Sequence, residues 1–130
     1  MVASSASMGP PVLFISDLAQ SKQFYCDILG FTLLFEDENS AGLKVGEDML
    51  MLLDPDAAKD LLVGATGSPK GRAPMGVLNL FVDDVDAWYA RLSEAGVEFL
   101  LDPRDREWGR RTAHFSDPDG FVWEISKEID

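Results

Sequence analysis

The sequence is poor in positive charge, in cysteine and in histidine. It has 11 lysine and arginine residues against 23 aspartate and glutamate residues, which gives a formal net charge of -12. Nucleic-acid binding requires clustered cationic side chains, so this composition argues against a nucleic-acid partner. The only cysteine, Cys26, cannot form an internal disulfide, which favours a reducing cytoplasm. The acidic balance favours a cationic ligand, although acidity also keeps ordinary proteins in solution.

The sequence also lacks a long apolar run. No segment approaches the roughly 20 apolar residues that a membrane-spanning helix needs, and residues 1–9 lack the basic and apolar regions of a secretory signal. We therefore expect a cytoplasmic protein without membrane contact. With 130 residues, 46% of them hydrophobic, the chain can form one domain over residues 10–130 with its own core, preceded by a flexible tail over residues 1–9.

A strand followed by a helix occurs twice in the chain. Ser16 or Asp17 can cap the first helix after a short apolar strand, and Gly30 can end it; Asp84 and Gly96 hold the places of Asp17 and Gly30 in the second half. The aspartates and the glycines are separated by nearly the same number of residues, which indicates a duplicated module. The second helix is expected to bury the side chains of Val85, Trp88, Leu92 and Ala95.

Three strand-like segments follow each predicted helix. The order is therefore β-α-β-β-β in both halves, with module one at about residues 10–55, a linker at about 56–75 and module two at about 76–128. Within the linker, Ala57–Val63 can form a helical turn or two, and Gly64–Pro74 has the composition of a loop. This arrangement predicts the α+β class.

The last two strands form a predicted hairpin around the turn Asp117–Gly120, whose sequence is Asp-Pro-Asp-Gly. Proline presets φ early in a turn, and glycine accepts a positive φ at its end. Strand alternation then puts Phe115 and Trp123 on the core face and His114 and Glu124 on the other face. The only histidine and a carboxylate thus share a polar face, which makes that face the first place to look for function.

In these segments the sequence resembles the vicinal oxygen chelate superfamily, which includes glyoxalase I, extradiol dioxygenases and proteins of fosfomycin and bleomycin resistance. The resemblance is carried by Ser16–Leu18, Phe24–Tyr25 and Leu29–Phe31 in module one and by Phe115–Gly120 with Glu124 in module two. It implies two βαβββ modules that form an open, cup-shaped mixed sheet, with helices outside and a ligand cavity inside. It also implies a homodimer.

Metal-dependent members of that superfamily supply four ligands, one from the first and one from the last strand of each module. Carried over to this sequence, these positions fall at about Pro10, Met51, Val77 and Glu124. Only Glu124 can ligate a divalent ion, which prefers imidazole nitrogen or carboxylate oxygen. We therefore expect no metal and no cofactor.

Without a metal, the resemblance implies a binding cup like that of the bleomycin-resistance branch, to which the stretch Arg106–Arg110 is similar. We expect a metal-independent protein that binds a small molecule and sequesters it, with an aromatic or cationic antibiotic as the candidate. Strand alternation, and the position of a tryptophan just before the hairpin, give the residues expected to bind it: Phe14, Met49, Met51, Asn79, Phe81, Trp108, Arg110, Thr112, His114 and Glu124.

Two other functions stay open, and so do structural roles for the same side chains. In one, the chain is a lyase, an isomerase or a dioxygenase-like enzyme that uses His114 and Glu124 as an acid–base pair or has an unconventional metal site. In the other, large side chains fill the cup and no ligand binds. Among structural roles, Glu124 can simply pair with Arg110 or His114, and Trp108 can pack under a loop.

Overall fold

The computed structural model describes residues 10–61 and 77–129, and the chain divides into two compact units, residues 1–66 and 67–130, which we call module one and module two. The predicted tail and the predicted loop Gly64–Pro74 lie outside the described residues. Each module contains a four-stranded mixed sheet with a helix against it, which confirms the predicted α+β fold. In the described part of the chain, no helix is long and apolar enough to cross a membrane.

The described part of module one contains four strands and two helices. In chain order these are β1 (Val12–Phe14), α1 (Leu18–Lys22) continued by a π-helical segment (Gln23–Ile28), β2 (Thr32–Glu36), β3 (Ser40–Val45), β4 (Asp48–Leu53) and α2 (Pro55–Leu61). The strand order is β1-β4-β3-β2, with β1 parallel to β4 and the other neighbours antiparallel. Helix α2 shows that the predicted linker begins as a helix.

Module two repeats this topology. Its elements are β5 (Leu78–Phe81), α3 (Val85–Glu94), β6 (Phe99–Asp105), β7 (Arg110–Ser116) and β8 (Val122–Glu128), and the strand order is β5-β8-β7-β6. Strand β6 contains two register irregularities. It includes Pro103, which has no backbone N–H to donate and is tolerated because β6 lies at the sheet edge.

The duplicated helices begin and end alike. Asp17 Oδ1 and Asp84 Oδ1 each accept a hydrogen bond from the backbone N–H three residues later, at 3.0 and 2.9 Å. Each aspartate thereby satisfies an N–H group that has no partner within its helix. Gly30 and Gly96 have φ angles of 87° and 94°, which side-chain-bearing residues rarely adopt. Of the two predicted cap residues of the first helix, Ser16 and Asp17, the structure shows Asp17, and the predicted duplication is confirmed.

The first helix differs from the regular helix that the sequence predicted. In its π-helical segment, the N–H of Leu29 donates to the carbonyl of Phe24 at 3.0 Å, five residues earlier. An α-helix spreads Phe24, Tyr25 and Leu29 over about 140° of arc, because each residue advances by about 100°. A wider turn brings the three side chains closer to one direction, and all three are buried.

The core of each module lies on the sheet face that its helix covers. The buried residues on these two faces include Leu13, Leu43, Leu50 and Leu52 in module one, and Ala113, Phe115, Trp123 and Ile125 in module two. They alternate along their strands with residues of the opposite face. The predicted core positions Phe115 and Trp123 are therefore confirmed.

Helix α3 packs differently from the prediction. Trp88 is only half-buried, and the guanidinium carbon of Arg91 lies 4.6 Å from its ring centre. Tyr89 contacts the sheet instead, edge to face with Phe99 at 4.7 Å between ring centres. Ala95, which was also predicted to be in the core, is exposed because the helix ends there. The prediction was wrong for Trp88 and Ala95, since helical spacing alone does not fix the direction in which a helix faces its sheet.

Strand β2 contains three consecutive apolar residues, Leu33, Leu34 and Phe35. Strand alternation alone does not indicate which of their side chains lie on which face of the sheet. A register irregularity between Leu33 and Phe35 interrupts strand alternation. Phe35 pairs with Gly42, and its ring lies where a Cβ of residue 42 would stand. Glycine at this position therefore makes room for an aromatic ring on the sheet.

Candidate ligand-binding face

The turn Asp117–Gly120 sets the register of β7 against β8. Asp117 Oδ1 accepts hydrogen bonds from the backbone N–H groups of Asp119 and Phe121 at 2.9 and 2.8 Å. The N–H of Gly120 donates to the Asp117 carbonyl at 3.0 Å, with a φ of 90° at the glycine. The predicted turn is confirmed, and it fixes which residues of the two strands stand opposite each other.

We call the sheet face opposite α3 the open face of module two; its residues include Asn79, Phe81, Arg110, Thr112, His114, Glu124 and Ser126. Strand register joins Asn79, Glu124 and His114 in one row across the sheet. The next row contains Phe81, Ser126 and Thr112. The fold thus brings the predicted strand residues of module two onto one face.

His114 and Glu124 form the centre of this face. His114 Nε2 lies 3.0 Å from Glu124 Oε1, and only 14% and 21% of the two side chains are exposed. In the neutral imidazole the Nε2–H donates to the carboxylate, which leaves Nδ1 as an acceptor. His114 Nδ1 is buried and has no hydrogen-bond partner within the described residues. Of the two predicted pairings of Glu124, the structure therefore shows the one with His114 and not the one with Arg110.

Two arginines cover the second row of the open face. Arg106 Nε donates to Thr112 Oγ1 at 2.9 Å, and Arg110 Nε donates to Ser126 Oγ at 3.2 Å. The two hydroxyl residues are register partners and fully buried, so they need these hydrogen bonds. The predicted set omitted Arg106 and Ser126. Strand alternation from Glu124 indicates Ser126, whereas Arg106 joins the face only through the pairing of β6 with β7.

Two aromatic rings next to these arginines are open to solvent. Phe81 is 79% exposed and Trp108 is 64% exposed. The guanidinium carbon of Arg110 lies 4.8 Å from the Phe81 ring centre, and that of Arg106 lies 5.4 Å from the Trp108 ring centre. These are cation–π distances. Trp108 is therefore not packed under a loop, and its ring is accessible for stacking.

Arg111 points the other way from Arg110 and ties β7 to α3. Its guanidinium donates to both carboxylate oxygens of Asp86, at 2.8 and 2.9 Å, and to Asp105 Oδ1 at 2.9 Å. The hydrogen bond from Arg111 lowers the pKa of Asp86, and the bonds to both carboxylates raise the pKa of Arg111. All three guanidinium nitrogens of Arg111 are thus engaged within module two.

The remaining predicted residues, Phe14, Met49 and Met51, lie in module one. They occupy the sheet face opposite the buried Leu50 and Leu52, and each is at least partly exposed. Their face is apolar and offers no charged group from these three positions. Flexible methionine side chains of this kind can adapt to irregular surfaces.

The positions at which the resemblance implies metal ligands do not fit a divalent ion. They hold Pro10 and Met51 in module one, and Val77 and Glu124 in module two. Neither proline nor valine has a donor atom, a thioether is a poor ligand for such ions, and Glu124 is already paired with His114. Within residues 10–61 and 77–129, no three His, Cys, Asp or Glu side chains are grouped so as to hold a metal ion.

Two copies of a βαβββ module with the same strand order define the duplicated fold of vicinal oxygen chelate proteins. Residues 7–125 match the Glyoxalase/Bleomycin resistance protein/Dioxygenase superfamily, and the chain belongs to this superfamily. The structure of a glyoxalase/bleomycin resistance protein/dioxygenase from Nocardioides superposes with a TM-score of 0.81 at 26% sequence identity, covering 99% of this chain and 88% of that one.

The relatives with sequence similarity include a named resistance protein. The uncharacterized protein YraH of Bacillus subtilis (strain 168) is 37% identical over 121 residues, which cover 90% of this chain and 94% of YraH. A bleomycin resistance protein of Geobacillus stearothermophilus is 29% identical over 129 residues, which cover 92% of this chain and 95% of that protein. Similarity therefore extends over nearly the full length of both relatives.

Proposed function

We propose that this protein binds a small aromatic molecule on the open face of module two, without a metal ion, and sequesters it unchanged. The observation that carries the proposal is the pair of solvent-exposed rings, Phe81 and Trp108, beside a face of fixed polar groups. Such a combination is typical of small-molecule sites. An aromatic or cationic antibiotic is the first candidate, because a bleomycin resistance protein is among the relatives and the net charge of -12 favours cations.

Titration with bleomycin at low salt tests this proposal. We expect saturable quenching of tryptophan fluorescence, because Trp108 is the exposed tryptophan on this side of the module. Replacing Trp108 with alanine is expected to weaken binding by about 3–10-fold, since a stacked aromatic pair contributes on the order of 1 kcal/mol. Calorimetry measures the affinity of the variant, which has lost its main fluorescent reporter.

The control for this titration is Trp88→Ala. Trp88 lies on α3, on the other side of the sheet, and its loss is expected to leave the affinity for bleomycin unchanged. If neither bleomycin nor another cationic aromatic antibiotic quenches the fluorescence, antibiotic binding is ruled out. An effect of Trp88→Ala as large as that of Trp108→Ala would move the site away from the open face.

A second candidate function is an enzyme that uses His114 and Glu124, and the 3.0 Å contact between these side chains favours it. A paired histidine and carboxylate can exchange a proton with a bound substrate. The burial of His114 Nδ1 argues against this role, because Glu124 orients the ring through Nε2 and the nitrogen left for proton transfer is closed off from solvent. The other form of this candidate is an enzyme with an unconventional metal site, and metal analysis of protein purified without chelators tests it. Stoichiometric zinc, nickel, manganese or iron would contradict metal-independent binding.

We also propose that the protein is a homodimer in which β2 contacts the second copy. Strand β2 is at the edge of its sheet, and Leu33, Leu34 and Phe35 are all exposed. Exposed apolar edge strands associate with other chains unless they are covered or carry charge. Light scattering is expected to give twice the chain mass of 14.3 kDa.

The substitution Leu34→Lys tests the contribution of β2 to this dimer. A lysine on the edge strand is expected to convert the dimer to a monomer at micromolar concentration, because a buried unpaired charge opposes association. The matched control is Leu100→Lys on β6, the edge strand of module two, which should stay dimeric. A monomeric wild-type protein, or dissociation by the control alone, would contradict the proposal.

A cytoplasmic location is also part of the proposal. Burial, followed by the nearby Asp27 carboxylate, raises the pKa of the Cys26 thiol, so the thiol stays protonated and weakly reactive. A lone unreactive thiol suits a compartment in which disulfides do not form.

A further inference from the structure

Arg106 and Arg110 stand side by side at the end of the β6–β7 hairpin. The N–H of Arg106 donates to the carbonyl of Arg110 at 2.7 Å, and the N–H of Gly109 closes the turn on the carbonyl of Arg106 at 3.0 Å. Directly opposed residues of two antiparallel strands point to the same face of the sheet. The hairpin therefore holds two guanidinium groups next to each other on the open face of module two.

The Nε atom of each of these arginines forms a hydrogen bond, whereas the two terminal guanidinium nitrogens form none within the described residues. The Nε atoms donate to Thr112 and Ser126, which are buried and cannot move away. One side of each guanidinium faces an aromatic ring, Trp108 or Phe81. Neither guanidinium group has a further hydrogen bond or ion pair within the described residues, so the two terminal nitrogens of each remain available as donors.

Two guanidinium groups held next to each other raise the free energy of the folded state unless a negative charge lies nearby. Like charges that are directly opposed across two strands destabilise a sheet. In a chain with 23 acidic residues, no carboxylate among residues 10–61 and 77–129 forms an ion pair with Arg106 or Arg110, not even Glu128, the register partner of Arg110. Arg111, one residue further along β7, has both Asp86 and Asp105. Within the described residues, carboxylates thus form ion pairs with the arginine on one side of β7 and with neither arginine on the other side.

We propose that Arg106 and Arg110 together bind an anionic group of the ligand, a carboxylate or a phosphoryl oxyanion, while its aromatic part stacks on Trp108 or Phe81. Planar guanidinium groups match both kinds of oxyanion with paired hydrogen bonds. The inference rests on the proposed binding function and narrows it, since aromatic molecules that also carry a negative charge are expected to bind more tightly than those that do not. Any cationic part of the same molecule would then lie toward Glu124.

Matched naphthalene probes and inorganic anions test this inference. The probes are 2-naphthoate, 2-naphthylphosphonate, the neutral 2-naphthamide and the cationic 2-naphthylmethylamine, and the simple anions are acetate and phosphate, all at constant ionic strength. The readout is the Nε–H signals of arginine in nitrogen-15 NMR. We expect saturable shifts for Arg106 and Arg110 and none for Arg111, whose nitrogens are engaged by carboxylates. The anionic probes are expected to bind about tenfold more tightly than 2-naphthamide.

Three variants complete the experiment. Arg106→Gln and Arg110→Gln are each expected to remove the preference for the anionic probes, whereas Arg91→Gln on α3 removes the same charge and should preserve it. Each glutamine variant loses the Nε donor to a buried hydroxyl but also loses the opposed like charge, so its unfolding temperature is expected to lie close to that of the wild type and above that of Arg111→Gln, which loses two ion pairs. This thermal readout distinguishes a lost donor from a damaged fold.

The outcomes separate the inference from the proposed function. Equal binding of 2-naphthoate and 2-naphthamide, or an unchanged preference in both glutamine variants, overturns the anion site and leaves aromatic binding intact. Shifts of Arg106 and Arg110 with acetate or phosphate, without binding of any naphthalene probe, support the anion site and contradict the aromatic site. If no anion shifts these two signals relative to Arg111, the inference is wrong whatever the neutral probe does.

Discussion

Replacing Phe115 with alanine is expected to lower the free energy of unfolding by about 3–5 kcal/mol. Phe115 is fully buried on the α3 side of β7, and its ring centre lies 5.4 Å from that of Phe99. Register places it opposite Trp123, so it stands in the middle of the module-two core. Because the Asp117–Gly120 turn and the ladder on both sides fix β7, the sheet cannot collapse into the cavity. Urea unfolding followed by circular dichroism measures the change.

The matched control is Phe81→Ala, which removes the same ring from the other face of the same sheet. Phe81 is 79% exposed, so its loss is expected to change the free energy of unfolding by less than about 0.5 kcal/mol. Under the proposed function the same variant weakens ligand binding. A cost below 1 kcal/mol for Phe115→Ala, or equal costs for both variants, would contradict the assignment of the two faces.

Much of the fold could be predicted because its signals are local. The caps at Asp17 and Asp84 depend on a side chain and a backbone N–H three residues away, and the turn at Asp117–Gly120 depends on its own four residues. Strand alternation then assigned His114 and Glu124 to one face and Trp123 to the other. Local geometry and the duplication were therefore sufficient for the α+β topology.

The rest depends on interactions between distant segments. The wide turn that buries Leu29 with Phe24 and the half-buried position of Trp88 both follow from the way a helix meets its sheet. Arg106 reaches the open face only because β6 pairs with β7, and the register irregularities of β6 leave no simple pattern in the sequence. The hydrogen-bond partner of Glu124 could be identified only from the strand register, which places His114, and not Arg110, directly opposite Glu124.

Replacing Glu124 alone with leucine is expected to cost about 1–3 kcal/mol, because a buried polar partner is left unpaired. His114 Nε2 donates to Glu124, and His114 Nδ1 already lacks a partner within the described residues. The double variant His114→Phe with Glu124→Leu is expected to regain most of this loss, since apolar residues of similar volume often replace a buried pair without cost. Urea unfolding of the wild type, both single variants and the double variant gives the coupling free energy.

The control is the surface pair Lys22 and Glu36 in module one, which are 2.7 Å apart and partly exposed. Its loss is expected to cost less than about 1 kcal/mol, because water screens an exposed pair. A double variant at His114 and Glu124 that is as unstable as Glu124→Leu would contradict the pairing argument. Full affinity for bleomycin in a stable double variant would mean that the pair serves the fold alone. Restored stability with lost affinity would instead show that the open face retains two buried polar groups for binding, since packing alone would favour apolar ones.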